Sequence, residues 1–301
     1  MNKGIIFLIL AAISWSFPSI MIRILKADFD IFTQNFFRYI GASVFLFAFG
    51  LVFTKKKKLN LVSNLKLLFI PSIIMAIHQI FYTAGVFMTS AVISSLLGRL
   101  NAIVIPALSC IFYEDERLIV KDKSFILGAL LALIGVSGVI IGKDAGTTGE
   151  FGIGTVFVML GTLFWSIYAV CIKRLVKSLD PLSIIFYVSL MSSIFFLPLT
   201  LRFGNIRSIN SVSLWTKTLL FGSGVIGVGI GNLFYYYAVK YVGTSISSIF
   251  FLLLPFSVGI LGFVILGETL TLIQILSGLF SILGCWLVTA KPKFLTKIYG
   301  G

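Results

Sequence analysis

The chain has 301 residues, 58% of them hydrophobic and 11% charged, with a mean hydropathy of +1.09. That is too little polar surface to cover a water-soluble globule of this length, so the chain reads as a membrane protein. Its formal charge is +14, but the basic residues fall in short clusters between apolar runs, which fits a lipid bilayer as partner and not nucleic acid.

A helix needs about 20 apolar residues to cross a hydrocarbon core about 30 Å thick. Ten stretches fit in chain order: 5–25, 32–53, 67–88, 91–112, 125–142, 152–172, 182–201, 218–239, 244–266 and 270–290. The first is longer than the apolar part of a signal peptide and is read as a retained span. The third and fourth runs touch, as do the eighth and ninth, and are divided at Thr89-Ser90 and Gly243-Thr244. With a cytoplasmic N-terminus, sixteen Lys and Arg fall on inside segments, among them the run Lys55 to Lys58 and Lys173, and six on outside segments. That asymmetry predicts both termini in the cytoplasm. Cys110, Cys171 and Cys285 lie within apolar runs with no histidine beside them and read as small hydrophobes, so neither metal nor cofactor is expected.

The chain also repeats itself. Trp15-Ser16 recurs as Trp165-Ser166, Arg23 as Lys173, Leu25 as Leu175 and Asp30 as Asp180, all at an offset of 150. Phe81-Tyr82 recurs as Phe234-Tyr235, and Ser94-Ser95 as Ser247-Ser248, at an offset of 153. This predicts two units, 1–145 and 146–301, of five spans each. Five is odd, so the second unit enters the membrane from the opposite side. The expected fold is all-α: ten transmembrane helices in two inverted repeats, an architecture of secondary transporters whose site lies near the midplane.

Several of these features resemble the EamA-like branch of the drug/metabolite transporter superfamily over nearly the whole chain, from Ile5 to Ala290. They are the two five-span halves, a Trp in the first helix of each, Arg38 early in the second helix, Pro255 thirteen residues before Glu268, and Leu266-Gly267-Glu268-Thr269-Leu270 leading into Gln274 and Gly278. The first half departs from the pattern: Glu116 stands where the family has its Glu-Arg-Leu, but the residue thirteen earlier is Ile103, and Pro106 lies one turn later. The resemblance implies a ten-helix carrier of the inner or plasma membrane. Such carriers commonly export amino acids or other small metabolites through a cavity between helices one, three, four, six, eight and nine.

Charge within a membrane costs at least about 2.5–3.5 kcal/mol near its centre, which makes such residues functional candidates. Arg38 lies six residues into its span, from where its stem can snorkel; Arg99 lies eight residues in, near the midplane, where snorkelling is harder. All ten acids fall in loops or at predicted helix ends. The planar fork of Arg99 therefore suggests a carboxylate-bearing substrate, anionic or zwitterionic, such as an amino or organic acid. His78 and Tyr82 share a helix face, and His78 is either a neutral bridge to a neighbouring helix or a proton-coupling group. Asn232 and Tyr235 correspond to Gln79 and Tyr82. Trp15, Trp165 and Tyr168 are mid-span, either packing the core or lining a cavity. Gly98 and Pro106 bracket Arg99, Pro255 interrupts helix nine, and the carbonyls that helix-breaking residues free can face a binding site.

No phosphate-cradling loop and no H-E-x-x-H is present, and the acidic cluster Glu114-Asp115-Glu116 has no second copy, so an enzyme is not expected. An integral-membrane enzyme or a non-transporting receptor on the same bundle are the alternatives.

Overall fold

In hydrocarbon every backbone N–H and C=O must be satisfied within its own segment, which leaves the helix as the open form. The computed structural model describes residues 3–53, 65–89, 94, 97–141, 152–257, 260 and 271–289, and these contain helices and no strand. Lys55 to Lys58, Lys143, Glu268 and the basic C-terminal tail lie outside the described residues.

The elements are α1 (Lys3–Leu25), α2 (Ile31–Phe53), α3 (Leu65–Met88), α4 (Asn101–Phe112), α5 (Glu114–Val120), α6 (Lys123–Ile141), α7 (Ile153–Ser178), α8 (Pro181–Phe203), α9 (Leu214–Ser223), a π-helical stretch Gly224–Gly231, α10 (Asn232–Ile249), a 3₁₀ turn Phe250–Leu253 and α11 (Leu272–Thr289). Among the described residues, seven segments are long and apolar enough to cross a membrane, and Asn101–Phe112 and Lys123–Gly138 are shorter apolar helices. One of the seven, Leu214–Ser257, is 44 residues long, about twice what one crossing needs. It breaks at Gly243, the one described residue with positive φ (φ 80, ψ 174), a conformation open to glycine alone.

Packing between helices follows the rule for lipid, where small residues let backbones approach. The closest pairs are α6 with α11, α3 with α7, α2 with α8 and α1 with α10. A Cβ at Gly85 of α3 would stand 2.7 Å from the Val158 amide of α7, and one at Gly161 of α7 would stand 2.9 Å from the Tyr82 amide. Hydroxyls tie helices together as well: Ser192 donates to the Ser72 carbonyl at 3.2 Å, and Ser109 and Thr244 share a 2.8 Å bond. Asp30 accepts from the Thr33 amide at 2.9 Å, and its repeat counterpart Asp180 from the Leu182 amide at 3.2 Å, so each caps the helix that follows it. Large apolar side chains such as Val44, Val52, Ile70, Ile134 and Leu201 point outward, as a lipid-facing surface requires.

Two local expectations change. Helix α7 runs on to Ser178, past the end set at residue 172, and carries Lys173 inward to 1% exposure. Glu116, one of the acids assigned to helix ends, is at the start of α5 but fully buried. The reason is mutual: Lys173 Nζ lies 2.6 Å from Glu116 Oε1 and 2.6 Å from Asp115 Oδ2, and each charge makes the burial of the other tolerable. Glu116 also accepts from the Thr244 amide (2.8 Å), the Thr244 hydroxyl (2.9 Å) and the Ser245 amide (3.1 Å). It therefore caps the helix that restarts after Gly243.

Candidate functional site

A cavity of about 140 Å³ lies between the helices. Helix α1 contributes Trp15, Pro18 and Ile22; α2 contributes Arg38; α3 contributes His78, Gln79 and Tyr82. Gly98, Arg99 and Asn101 come from the approach to α4, Thr162 and Trp165 from α7, Gly227 and Val228 from the π-helical stretch, and Asn232, Phe251 and Leu254 from α10 and the segment after it.

Arg99 does not sit within a continuous helix. Arg99 and Leu100 form a turn, with the Leu100 amide bonded to the Leu97 carbonyl at 3.1 Å and the Ala102 amide to the Arg99 carbonyl at 3.0 Å. Gly98 before it is a poor helix former, and α4 starts only at Asn101. The guanidinium donates to the Phe251 carbonyl at 2.5 Å. The same carbonyl accepts from the Leu254 amide at the end of the 3₁₀ turn, and the residue four further on, Pro255, has no N–H to offer it. The guanidinium therefore shares the carbonyl with one backbone donor. The repeat register sets Arg99 against Leu252, the neighbour of Phe251.

Arg38 is 3% exposed. Its Nη1 donates to Asn35 Oδ1 at 3.3 Å, while Asn35 Nδ2 donates to Thr83 Oγ1 at 3.2 Å, so the arginine is held against α3. Its Nε has no hydrogen-bond partner among the described residues. The backbone of Arg38 packs directly on Gly224, where a Cβ would collide with the Arg38 carbonyl.

The remaining wall is aromatic. Trp15 and Trp165 meet edge to face with centroids 5.7 Å apart, Trp15 lies 5.1 Å from Phe251, and His78 lies 5.1 Å from Trp165 and 5.6 Å from Tyr82. The two tryptophans line the cavity and pack against each other, so both readings of them hold. The Trp15 indole donates to the Gly227 carbonyl at 3.1 Å. His78 Nδ1 lies 2.8 Å from the Gly161 carbonyl. A carbonyl only accepts, so Nδ1 carries the proton of this bond and joins α3 to α7.

Seven of the nine candidates therefore meet at one cavity: Trp15, Arg38, His78, Tyr82, Arg99, Trp165 and Asn232. Tyr168 and Tyr235 are not on its lining. Both are fully buried, Tyr168 with its hydroxyl against that of Tyr236 and Tyr235 with its ring 5.3 Å from Trp15, so they back the aromatic wall. Asn101 and Thr162 are lining residues that the sequence reading did not select. Asn101 accepts from Ser166 at 2.9 Å, and Thr162 donates to Val158 at 2.8 Å. An amide two residues after Arg99 in an apolar run was a usable signal for the first; a lone threonine gives none.

Among the described residues no group of three or more His, Cys, Asp or Glu is placed to hold a metal ion.

Comparison with known proteins gives consistent results. The family model described as the EamA-like transporter family matches residues 2–141 and again 152–290. A protein of Haemophilus influenzae named "Uncharacterized transporter" is 27% identical over 283 residues, covering 91% of this chain and 92% of its own. The "Uncharacterized transporter YyaM" of Bacillus subtilis is 28% identical over 223 residues, covering 72% and 71%. A solved crystal structure superposes with a TM-score of 0.76 at 16% identity, covering 96% of each chain, which shows a shared fold.

Proposed function

Since the chain belongs to the EamA-like transporter family, we propose that it is a secondary carrier that exports a small carboxylate-bearing solute, such as an amino or organic acid, by alternating access. The bundle is ten helices in two inverted five-helix units, 1–145 and 146–301, with both termini in the cytoplasm and the whole in the cell membrane. The paired match of the family model to 2–141 and 152–290 supports the two units. The chain break at Gly243 supports counting Leu214–Ser257 as two crossings.

One observation carries the reading: a cavity of about 140 Å³ whose walls come from both halves and present Arg38 and Arg99 together. That size is below the ~300–1,000 Å³ of pockets for drug-sized ligands, which favours a small solute. Guanidinium forks match carboxylates in geometry and charge, while Trp15 and Trp165 offer a flat apolar surface to the solute body. With no nucleotide-binding loop in the sequence, movement would be driven by the solute gradient, exchange or an ion.

Counterflow of labelled amino and organic acids into proteoliposomes tests this. Flux of at least one acid, reduced by Arg99→Gln, is expected; unchanged affinity in Arg99→Gln sinks the assigned role of the arginine. Absence of flux across the panel by folded protein favours a receptor or an enzyme on the same bundle. His78→Gln, assayed with and without a pH gradient, separates the two readings of the histidine: identical gradient dependence makes it a bridge between α3 and α7.

A further inference from the structure

We infer that His78 serves the cavity as a neutral hydrogen-bond acceptor, and that the solute therefore carries a donor, a hydroxyl or an amino group, beside its carboxylate. This assignment rests on the reading of the cavity as the carrier's solute site.

One bond sets the tautomer. His78 Nδ1 lies 2.8 Å from the Gly161 carbonyl of α7, and because that oxygen can only accept, Nδ1 holds the proton. In a neutral imidazole the other nitrogen, Nε2, is then a bare lone pair. Nε2 has no hydrogen-bond partner among the described residues. The rings of Trp165 and Tyr82 pack on the imidazole with centroids 5.1 and 5.6 Å away, and the residue is 7% exposed and on the cavity lining. The bridge to α7 thus uses one nitrogen and leaves the second for what occupies the cavity.

The rest of the polar lining is built to donate. The guanidiniums of Arg38 and Arg99 and the indoles of Trp15 and Trp165 have N–H groups and no acceptor. Gln79, Asn101 and Asn232 each offer an amide N–H, and Asn101 already spends its oxygen on the Ser166 hydroxyl at 2.9 Å. The hydroxyls of Tyr82 and Thr162 can act either way. The imidazole is the one side-chain group of the described lining left with nothing but a lone pair to present. An ionised carboxylate satisfies the donors but has no hydrogen to give Nε2. A solute with no other polar group would strand a desolvated acceptor, which is the costly half of a broken hydrogen bond. Sites with such a buried group discriminate strongly against an analogue that lacks its partner. The sign also separates this role from proton carriage: an imidazolium would donate from Nε2 and favour a solute with an acceptor there, such as an ether oxygen.

His78 is the chain's single histidine, so nitrogen NMR of the full chain carrying isotope-labelled histidine, in lipid nanodiscs, reads this one ring. At neutral pH a protonated Nδ1 and a bare Nε2 are expected. Affinities are measured on the same sample for lactate, alanine, propanoate and 2-methoxypropanoate, and for the uncharged pair methyl lactate and methyl propanoate. Lactate or alanine should bind about ten- to a hundred-fold more tightly than propanoate and 2-methoxypropanoate, with the Nε2 resonance moving as an acceptor's does. The tighter of the two identifies hydroxyl or ammonium as the donor. His78→Phe, which keeps a flat ring and removes both nitrogens, should erase the preference and leave propanoate within a few-fold. His78→Gln, which keeps an acceptor oxygen, should retain part of it. Should neither variant fold, the resonances and ligand series of the parent decide alone. Equal binding of the four acids, a preference for 2-methoxypropanoate, or a proton on Nε2 overturns the assignment and leaves the acid-binding reading in place. Preference for methyl lactate over methyl propanoate with no acid bound upholds the acceptor and sinks the carboxylate reading. Failure of every ligand to bind overturns both.

Discussion

Two regions of this molecule bury positive charge, and they do so in opposite ways. Around Lys173 the ammonium meets Asp115 and Glu116 at 2.6 Å each, lies 4.7 Å from the centre of the Tyr113 ring, and through Glu116 is tied to the restarting helix at Thr244. Around the cavity Arg38 and Arg99 are held by a side-chain amide and a backbone carbonyl. The first arrangement balances its charge within the chain and joins α4–α5, α7 and α10 in one cluster. The second holds Arg38 by a neutral amide oxygen and leaves its Nε without a hydrogen-bond partner among the described residues. A buried cation is thus not by itself a sign of a site; the identity of its partners decides whether it serves the fold or a ligand.

The largest effect should come from breaking the balanced region. Removing one member of a buried ion pair costs about 3–5 kcal/mol, and Glu116→Gln, which leaves the buried Lys173 with Asp115 alone, should lower the thermal unfolding midpoint in detergent sharply. Glu116→Gln combined with Lys173→Met should recover part of that loss, since the remaining carboxylate, Asp115, is 24% exposed and can be solvated. If the double variant is no more stable than Glu116→Gln alone, the cluster matters through the cap on Thr244 and not through charge balance.

The cavity arginines should show the reverse profile. Arg38→Gln and Arg99→Gln are expected to lower affinity for an anionic solute by about 1.5–3 kcal/mol each, the usual worth of a hydrogen bond to a charged group. Removing either should leave the unfolding midpoint close to that of the parent. Binding and unfolding measured on the same preparations separate the two regions; a collapse of stability in Arg38→Gln would place that arginine with Lys173. Next in size is Gly243→Ala, whose φ of 80 and ψ of 174 admit an alanine only at a cost of order 1–3 kcal/mol. It should weaken the region around Glu116 and spare the intrinsic preference of the cavity among ligands.

The two regions also differ in how far they could be read from the sequence. The apolar spans were legible because each carries its own signal, and the break at Gly243-Thr244 was visible as a polar interruption in an apolar run. Candidate cavity residues were legible because Arg38, His78 and Arg99 stand out in hydrophobic surroundings, and the repeat register aligned Gln79 and Tyr82 with Asn232 and Tyr235. Lys173 was assigned to a loop because Lys173-Arg174 follows an apolar run. Its burial depends on Glu116, 57 residues away, and no local pattern announces such a pairing. The turn at Arg99-Leu100 was missed for a related reason: it interrupts the helix for too few residues to alter composition. Tyr168 and Tyr235 were read as candidate site residues and lie behind the lining, because which side of a wall a ring occupies is settled by packing between helices.

The smallest expected effect is also the most specific to the cavity. Pro255→Ala adds a further N–H beside a Phe251 carbonyl that already accepts from the Leu254 amide and from Arg99, and so competes with Arg99 for it. One net hydrogen bond is worth about 0.5–1.5 kcal/mol, so the variant should weaken anion binding by roughly two- to tenfold through a looser Arg99, with no new clash in the cavity. A general distortion of the helix would produce the same number, and a double-mutant cycle distinguishes the two. If proline acts by withholding a competing donor from the carbonyl, Pro255→Ala should cost nothing further once Arg99 is glutamine. If the two losses add, the proline shapes the cavity independently and the pairing of Arg99 with Phe251 is incidental to binding.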